Sequence, residues 1–290
     1  MSYQILIDSC GDLTDGMKQN ARIQSVPLHI QVGKREYMDD EKLNCLELLT
    51  DIAHSHQMPV SACPSPEQYI KACDKEAERI YIVTVSSSLS GSYNSACVAK
   101  RMMKEEGGAD THSNRQKICV IDSRTASAGE MLVVRQIVKW ENRGMPFETI
   151  VAKIRIFIKN IRTRFVLEDL TMLERSGRLT GLKAKLADAL HICPILSATR
   201  EGTICQTGQA RGVKRAVSSM IRRIIDDEKK GGIDQMVISH CYQREGAVEV
   251  KRKLKKHFPY IPIYLVETGG IASMYAGRGG IIVAYAGISE

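Results

Sequence analysis

Aromatic residues are scarce in this chain: Phe, Trp and Tyr together make up 5% of its 290 residues. Single-stranded nucleic-acid surfaces stack bases on such rings, so no nucleic-acid partner is expected, and aliphatic side chains must fill the core. No apolar run reaches the roughly 20 residues of a membrane-spanning helix, so stable membrane insertion is not expected. The nine cysteines form no CxxC pair, and with the seven histidines they give no spacing of a zinc site. HExxH is missing too, so no metal and no cofactor are expected. GxSxG, the nucleophile turn of serine hydrolases, is absent, as is the Lys-Ser/Thr ending of a phosphate loop. The N-terminus runs straight into a strand-like segment without an apolar signal region. A cytoplasmic protein is expected, its cysteines free and acting as small hydrophobes.

What the chain does carry is ordinary globular composition, 43% hydrophobic and 26% charged, with a net charge of +8. That balance reads as a solvated basic surface, with an acidic partner or substrate as the functional alternative. The basic run KRKLKK at residues 251–256 sits inside an amphipathic helical pattern rather than in a tail.

The pattern along the chain is β-loop-α repeated. Residues 4–7, 23–32, 80–85 and 118–121 read as strands; residues 43–54, 65–78, 92–106, 129–141 and 146–161 read as helices. Ser65, Pro66 and Glu67 form a good helix start, with an N-cap, a proline and an acid in order. This order predicts an α/β fold, a mostly parallel sheet covered by helices, over residues 1–163. A second, smaller α/β domain is placed at residues 164–290. It holds strand-like segments at 165–167, 191–196, 235–239 and 263–266, and helical ones at 170–182 (broken at Ser176 and Gly177), 183–190, 212–229 and 245–257. A hairpin turn falls at Glu201 and Gly202, and a glycine-rich tract closes the chain over residues 269–287.

In parallel sheets ligands bind beyond the carboxyl ends of the strands. Three such ends carry small polar residues: Asp8 with Ser9, the serines from 86 to 90, and Asp122 with Ser123. A single crevice lined by all three is the expected site. The richest is residues 79–96, RIYIVTVSSSLSGSYNSA, a buried strand running through a Ser/Gly turn into a helix. Its free N–H groups and hydroxyls suit an anion, and no lysine or carboxylate lies among them. Helix capping by Ser90 or Ser92 is the plain alternative, and capping and anion capture are compatible. GGIASMYAGRGG, at residues 269–280, is neither a phosphate loop nor a dinucleotide fingerprint. Its small residues would let backbone approach a ligand closely, or pack tightly against the rest of the chain. Arg175 to Arg178 at a helix break, and Arg211 to Arg215, could bring guanidinium groups over the crevice or lie on the surface.

Several segments together resemble the DegV family. IDSCGDL is similar to its DS-x-x-D-L opening, SACPSPEQY to its T-S-Q-P-S segment, and SSSLSGSYNSA to its S-S-x-L-S-G-T-Y-x-S-A. VIDSRTASAGEMLVV, LERSGRLTG, HICPIL followed by EGTI, ARGVKRA and the closing glycine tract follow in the family's order. The resemblance covers nearly the whole chain. It implies two α/β domains with a long-chain fatty acid, such as palmitate, between them. The acyl chain would lie in an apolar tunnel and the carboxylate at its mouth.

By the same resemblance Ser61 falls on the threonine of the family's T-S-Q-P-S and Ser90 on the serine of its L-S-G-T-Y, with Gly91 giving backbone access beside it. Both would bind the carboxylate. Arg178 and Arg211 would serve the head-group mouth or the docking of a separate fatty acid kinase, to which some members present the bound acid. No catalytic residue is implied. Three departures stand out. Tyr275 replaces the family's histidine in H-x-G-P-G, Arg278 replaces its proline, and Ala62 and Cys63 replace the Ser and Gln after the first threonine. A tyrosine hydroxyl still donates to a carboxylate but lacks the proton chemistry of imidazole near neutrality. Two other readings remain open: a serine-dependent hydrolase or transferase acting through Ser90, and a regulatory module for another small anion.

Overall fold

The computed structural model describes residues 2–106, 116–179, 191–228 and 232–287. Strand β1 (Tyr3–Asp8) is buried at every residue. Its side chains alternate: Ile5 and Ile7 enter one apolar cluster and Leu6 another, as the two-residue period of a strand covered on both faces requires. It pairs in parallel with β2 (Ile23–Val26) and β6 (Arg79–Thr84), and β6 pairs in parallel with β7 (Lys117–Asp122). The order of this sheet is β2-β1-β6-β7.

A six-stranded sheet lies across the molecule. It comprises β8 (Arg162–Val166), β9 (Ile192–Ala198), β10 (Ile204–Arg211), β11 (Gln235–His240), β12 (Ile263–Glu267) and β13 (Ile281–Ala286), in the order β10-β9-β8-β13-β11-β12. Only β11 and β12 pair in parallel. Helix α5 (Ala128–Glu141) is packed between the two sheets, against β1 and β6 on one side and β8, β11 and β13 on the other. It is therefore buried on nearly every face, from Ala128 through Trp140, and one core cluster joins Ile5 and Tyr81 to Val237 and Ala284. Helix α6 (Phe147–Asn160) packs on α5. Outside the first sheet lie α3 (Pro66–Ala72) and α4 (Ser92–Glu106); outside the second lie α8 (Val213–Glu228) and α9 (Arg244–His257). The result is five alternating layers of helix and sheet, the mixed α/β architecture expected.

A small antiparallel sheet, β4 (Arg35–Met38), β3 (His29–Val32) and β5 (Val60–Ala62), caps one end. Short helix α1 (Asp15–Lys18) follows β1, α2 (Cys45–His54) packs on α10 (Gly270–Ala276), and α7 (Thr171–Arg175) also touches α10.

Local chemistry explains several departures from the sequence expectations. The single strand expected at residues 23–32 is two strands in different sheets. Pro27 between them has no N–H to give a ladder, so the chain turns there. The helix at 65–78 starts as expected, with Ser65 and Gln68 exchanging both bonds of a capping box, but ends at Ala72. Of the helix expected at 170–182 with a break at Ser176 and Gly177, the first part is α7, and Gly177 follows at φ +74°, a left-handed conformation that ends it; residues 180–182 lie outside the described residues. The helix expected at 183–190 lies outside the described residues. Strand β13, at the centre of the larger sheet, was hidden in the glycine-rich tract.

Candidate functional site

An apolar pocket opens between the carboxyl ends of the first sheet and the inner face of the second. Its empty volume is about 920 Å³ including the mouth, within the roughly 300–1,000 Å³ of ligand pockets. Its walls are aliphatic and aromatic, among them Leu28, Val85, Phe165, Leu173, Ile204 and Ile282. Strand alternation builds one wall. Thr163 and Phe165 of β8 face the pocket, and their neighbours Arg162 and Arg164 face away into a second cavity.

Four polar residues of the lining lie close together. Ser61 sits on β5, paired with Ile30 of β3, and its hydroxyl lies 3.0 Å from that of Tyr275 on α10. Ser90 lies in the loop after β6, its hydroxyl 3.0 Å from that of Ser92. Arg178 ties the two sides together. Its Nε donates to the Leu89 carbonyl at 3.2 Å, and its guanidinium carbon lies 5.5 Å from the centre of the Tyr275 ring, a cation–π distance. Ser61, Ser90, Arg178 and Tyr275 all line the pocket.

Two sequence candidates fall elsewhere. Gly91 is exposed beside Cys63, where a Cβ would come within 3.1 Å of the Cys63 sulfur, and it is not part of the lining. Arg211 ends β10, exposed and paired through its backbone with Ile192, far enough round the sheet that it lines no part of the pocket.

The serine cluster divides by role. Ser86 Oγ donates to the Gly202 carbonyl at 2.8 Å and Ser88 Oγ to the Glu201 carbonyl at 2.7 Å. These bonds fasten the loop to the tip of the β9–β10 hairpin. Gly202 at φ +80° is required there, since a Cβ would strike Ser86 Oγ at 2.1 Å. Ser87 is held by Asp122 through its N–H (3.1 Å) and its hydroxyl (2.6 Å). Ser92 is buried, leaving Ser90 as the half-exposed hydroxyl at the pocket.

The expected crevice is therefore corrected. Asp8 and Asp122 do not line the pocket, because both are used as internal acceptors. Asp8 is fully buried and accepts the Val85 N–H at 2.9 Å. Around it sequence reasoning missed a cluster of acids. Asp12 accepts the Gly269 N–H at 2.7 Å and a hydrogen bond from Ser127 Oγ. Asp39 accepts the N–H groups of Gly270 (2.7 Å) and Ile271 (3.0 Å) at the start of α10. Carboxylates belong at a helix N-terminus, where backbone N–H groups lack partners. A Cβ on Gly270 would come within 2.6 Å of Asp39 Oδ1, so the glycine tract lets backbone approach the chain's own carboxylate. Burial pushes Asp8 and Asp12 up to about 6 and raises Asp39. Glu130 on α5 is fully buried beside Asp8; burial first, then the charge of Asp8, lifts it well above the usual carboxyl range.

What this arrangement can do chemically is narrow. A mostly apolar cavity is lined by seven hydroxyl-bearing residues and one guanidinium; Thr125, Ser127, Thr163 and Thr203 are bonded within the protein, and the described lining carries no histidine, lysine or carboxylate. Among the described residues no helix is long and apolar enough to cross a membrane.

Comparisons with known proteins agree with the fold and the cavity. The DegV family model matches residues 2–286. DegV domain-containing proteins of Streptococcus pyogenes and Streptococcus gordonii are each 32% identical over 98% of this chain and 99% of theirs. A DegV family protein of Ruminococcus gnavus, solved with vaccenic acid, is 42% identical, with TM-score 0.90 over 98% of this chain and 99% of that one. The fatty acid kinase B3 protein of Streptococcus pneumoniae, loaded with linoleic acid, is 29% identical, with TM-score 0.87 over the full length of both. By this match across nearly its whole length, the chain belongs to the DegV family.

Proposed function

We propose that this protein binds one long-chain fatty acid in the cytoplasm, with the acyl chain in the apolar pocket and the carboxylate at the mouth. Residues 1–163 and 164–290 form the two halves that enclose it. Ser61 and Ser90 donate to the carboxylate, Tyr275 donates to the Ser61 hydroxyl and so leaves the Ser61 proton for the ligand, and Arg178 supplies the positive charge. The observation that carries this reading is a largely apolar lining in which Ser61, Ser90, Tyr275 and Arg178 form one neighbouring polar group, while the other lining hydroxyls, of Thr125, Ser127, Thr163 and Thr203, are bonded within the protein. It is supported by the relatives solved with vaccenic and linoleic acids. Burying a chain of about 16 carbons at about 0.8 kcal/mol per CH₂ gives on the order of 10 kcal/mol before association costs. The head group then needs only orientation.

The protein acts as a carrier rather than a catalyst. Ser90 has no general base beside it in the lining, which argues against the hydrolase reading. The bound acid is presented to a separate fatty acid kinase; the support is the likeness to the Streptococcus pneumoniae kinase B protein. Arg211, exposed at the end of β10 and off the pocket lining, belongs to the docking surface of that kinase. Organic extraction and mass spectrometry of the purified protein test the binding. A long-chain acid at near one per chain is expected, and a protein that carries none and shows no thermal shift with palmitate or oleate contradicts it. Adding a fatty acid kinase and ATP tests presentation: acyl phosphate should form only with the acid-loaded protein.

A further inference from the structure

Behind the acyl pocket lies a second cavity, of about 1230 Å³ including the space at its opening. The two share a wall, since Ala198 lines both. The chemistry on the two sides is opposite. The second cavity is charged by Arg124, Lys159, Arg162, Arg164 and Arg200, and no Asp or Glu among the described residues lines it. The basic residues come from separate parts of the chain: the loop after β7, the end of α6, strand β8 and the β9–β10 turn.

One carboxylate neutralises part of this set. Asp227 of α8 accepts from Arg164 Nε at 3.0 Å and Nη2 at 2.6 Å, and lies 3.9 Å from Arg162 Nη1. Arg162 Nη1 also donates to the Asp227 carbonyl at 2.8 Å. Arg124, Lys159 and Arg200 pair with no carboxylate among the described residues, and Arg124 Nη1 is turned onto the Arg200 carbonyl at 3.3 Å. Asp122, the nearest acid to Arg124 along the chain, is occupied by the N–H groups of Ser87 and Arg124 and by the Ser87 hydroxyl.

Like charges converging on a concave, glycine-edged wall repel one another, and a solvated surface would spread them apart. Among the described residues five cations face one carboxylate, which focuses a positive potential on the cavity. Planar guanidinium groups match the spaced oxygens of phosphoryl groups. We propose that this cavity is a binding site for a small soluble molecule carrying two linked phosphoryl groups.

Calorimetric titration of the full chain with inorganic pyrophosphate, at constant ionic strength set by sodium chloride, tests this. Saturable binding at one per chain is expected, with affinity falling steeply as salt rises. The variant Lys159→Glu with Arg200→Glu, both exposed side chains outside the acyl pocket, is expected to bind pyrophosphate at least about tenfold more weakly while holding oleate within about twofold of the parent. Retained oleate binding shows that the variant is folded; should it be lost, Lys159→Ala alone replaces the pair with the same expectation in direction. Parallel titrations with adenosine diphosphate and citrate separate the ligand classes. Tighter diphosphate than pyrophosphate binding keeps the site and adds a nucleoside contact. No saturable pyrophosphate binding, unchanged affinity in the variant, or citrate binding more tightly than either phosphate overturns the proposal.

Discussion

At the mouth of the pocket, Ser61, Ser90, Tyr275 and Arg178 present donors to a half-open space. At the carboxyl end of β1, Asp8, Asp12 and Asp39 present acceptors to backbone N–H groups, and almost no water reaches them. Both regions are polar, both sit at strand ends, and α10 belongs to both: its N-terminus is held by Asp12 and Asp39, and its penultimate residue is Tyr275. The difference lies in what each has left over. The acids spend their lone pairs on the chain itself, which fixes α10 and so aims Tyr275. The hydroxyls at the mouth keep donors for a ligand. Changes to the acids should therefore move stability, and changes at the mouth should move affinity.

The largest separation of the two should come from pH. Asp8 and Asp12 rise from an ordinary 3.8 to about 6 on folding, so the folded chain holds more protons than the unfolded one between those values. Stability is then greatest at the acid end of that window and falls as pH rises through about 6, by on the order of 3 kcal/mol for each acid. Denaturant titrations from pH 4 to 7.5 should show this fall, and Asp12→Asn should flatten it. A stability that instead rises steadily over that range removes the buried acids from the account.

Next in size is the mouth. Hydrogen bonds to a charged group contribute about 1.5–3 kcal/mol each, so Ser61→Ala with Ser90→Ala should weaken oleate binding about a hundredfold. The melting temperature of the empty protein should stay within about 2 °C of the parent. Unchanged affinity would mean that the carboxylate lies elsewhere.

Asp39→Ala should do the reverse. Losing a carboxylate that accepts two N–H groups at the start of α10 costs about 2 kcal/mol, a fall in Tm of about 4–8 °C. Thermal melts check it, and a variant as stable as the parent would show that α10 is held by packing alone. The smallest effect expected is that of Tyr275→Phe, which keeps the ring under Arg178 and loses one neutral hydrogen bond. About 1 kcal/mol, or some fivefold in oleate affinity, is expected by equilibrium titration.

Much of this was legible in the sequence where the information is local. Residues 80–85 and the serine loop announced a buried strand feeding a helix, and Ser65, Pro66 and Glu67 announced the start of α3. Ser90 and Ser61 were reachable through resemblance, because their hydroxyls stand in ordered motifs. The rest depends on partners distant along the chain. Ser88 reads like any loop serine until the hairpin tip 113 positions away arrives to accept from it. Asp39 lies just beyond β4 and gives no local sign that it caps a helix 231 positions later. The glycine tract was read as making room for a ligand or for tight packing, and Gly270 serves the second, making room for Asp39. Strand β13 was masked because its flanking glycines outweighed a six-residue apolar run.

The head group decides the central claim. Equilibrium titration of the delipidated protein with oleate and with its methyl ester compares the same chain with and without the carboxylate. The account predicts saturable oleate binding at one per chain and methyl oleate weaker by at least about tenfold, a gap that closes in Ser61→Ala with Ser90→Ala. Equal affinity for the two in the parent protein would contradict it.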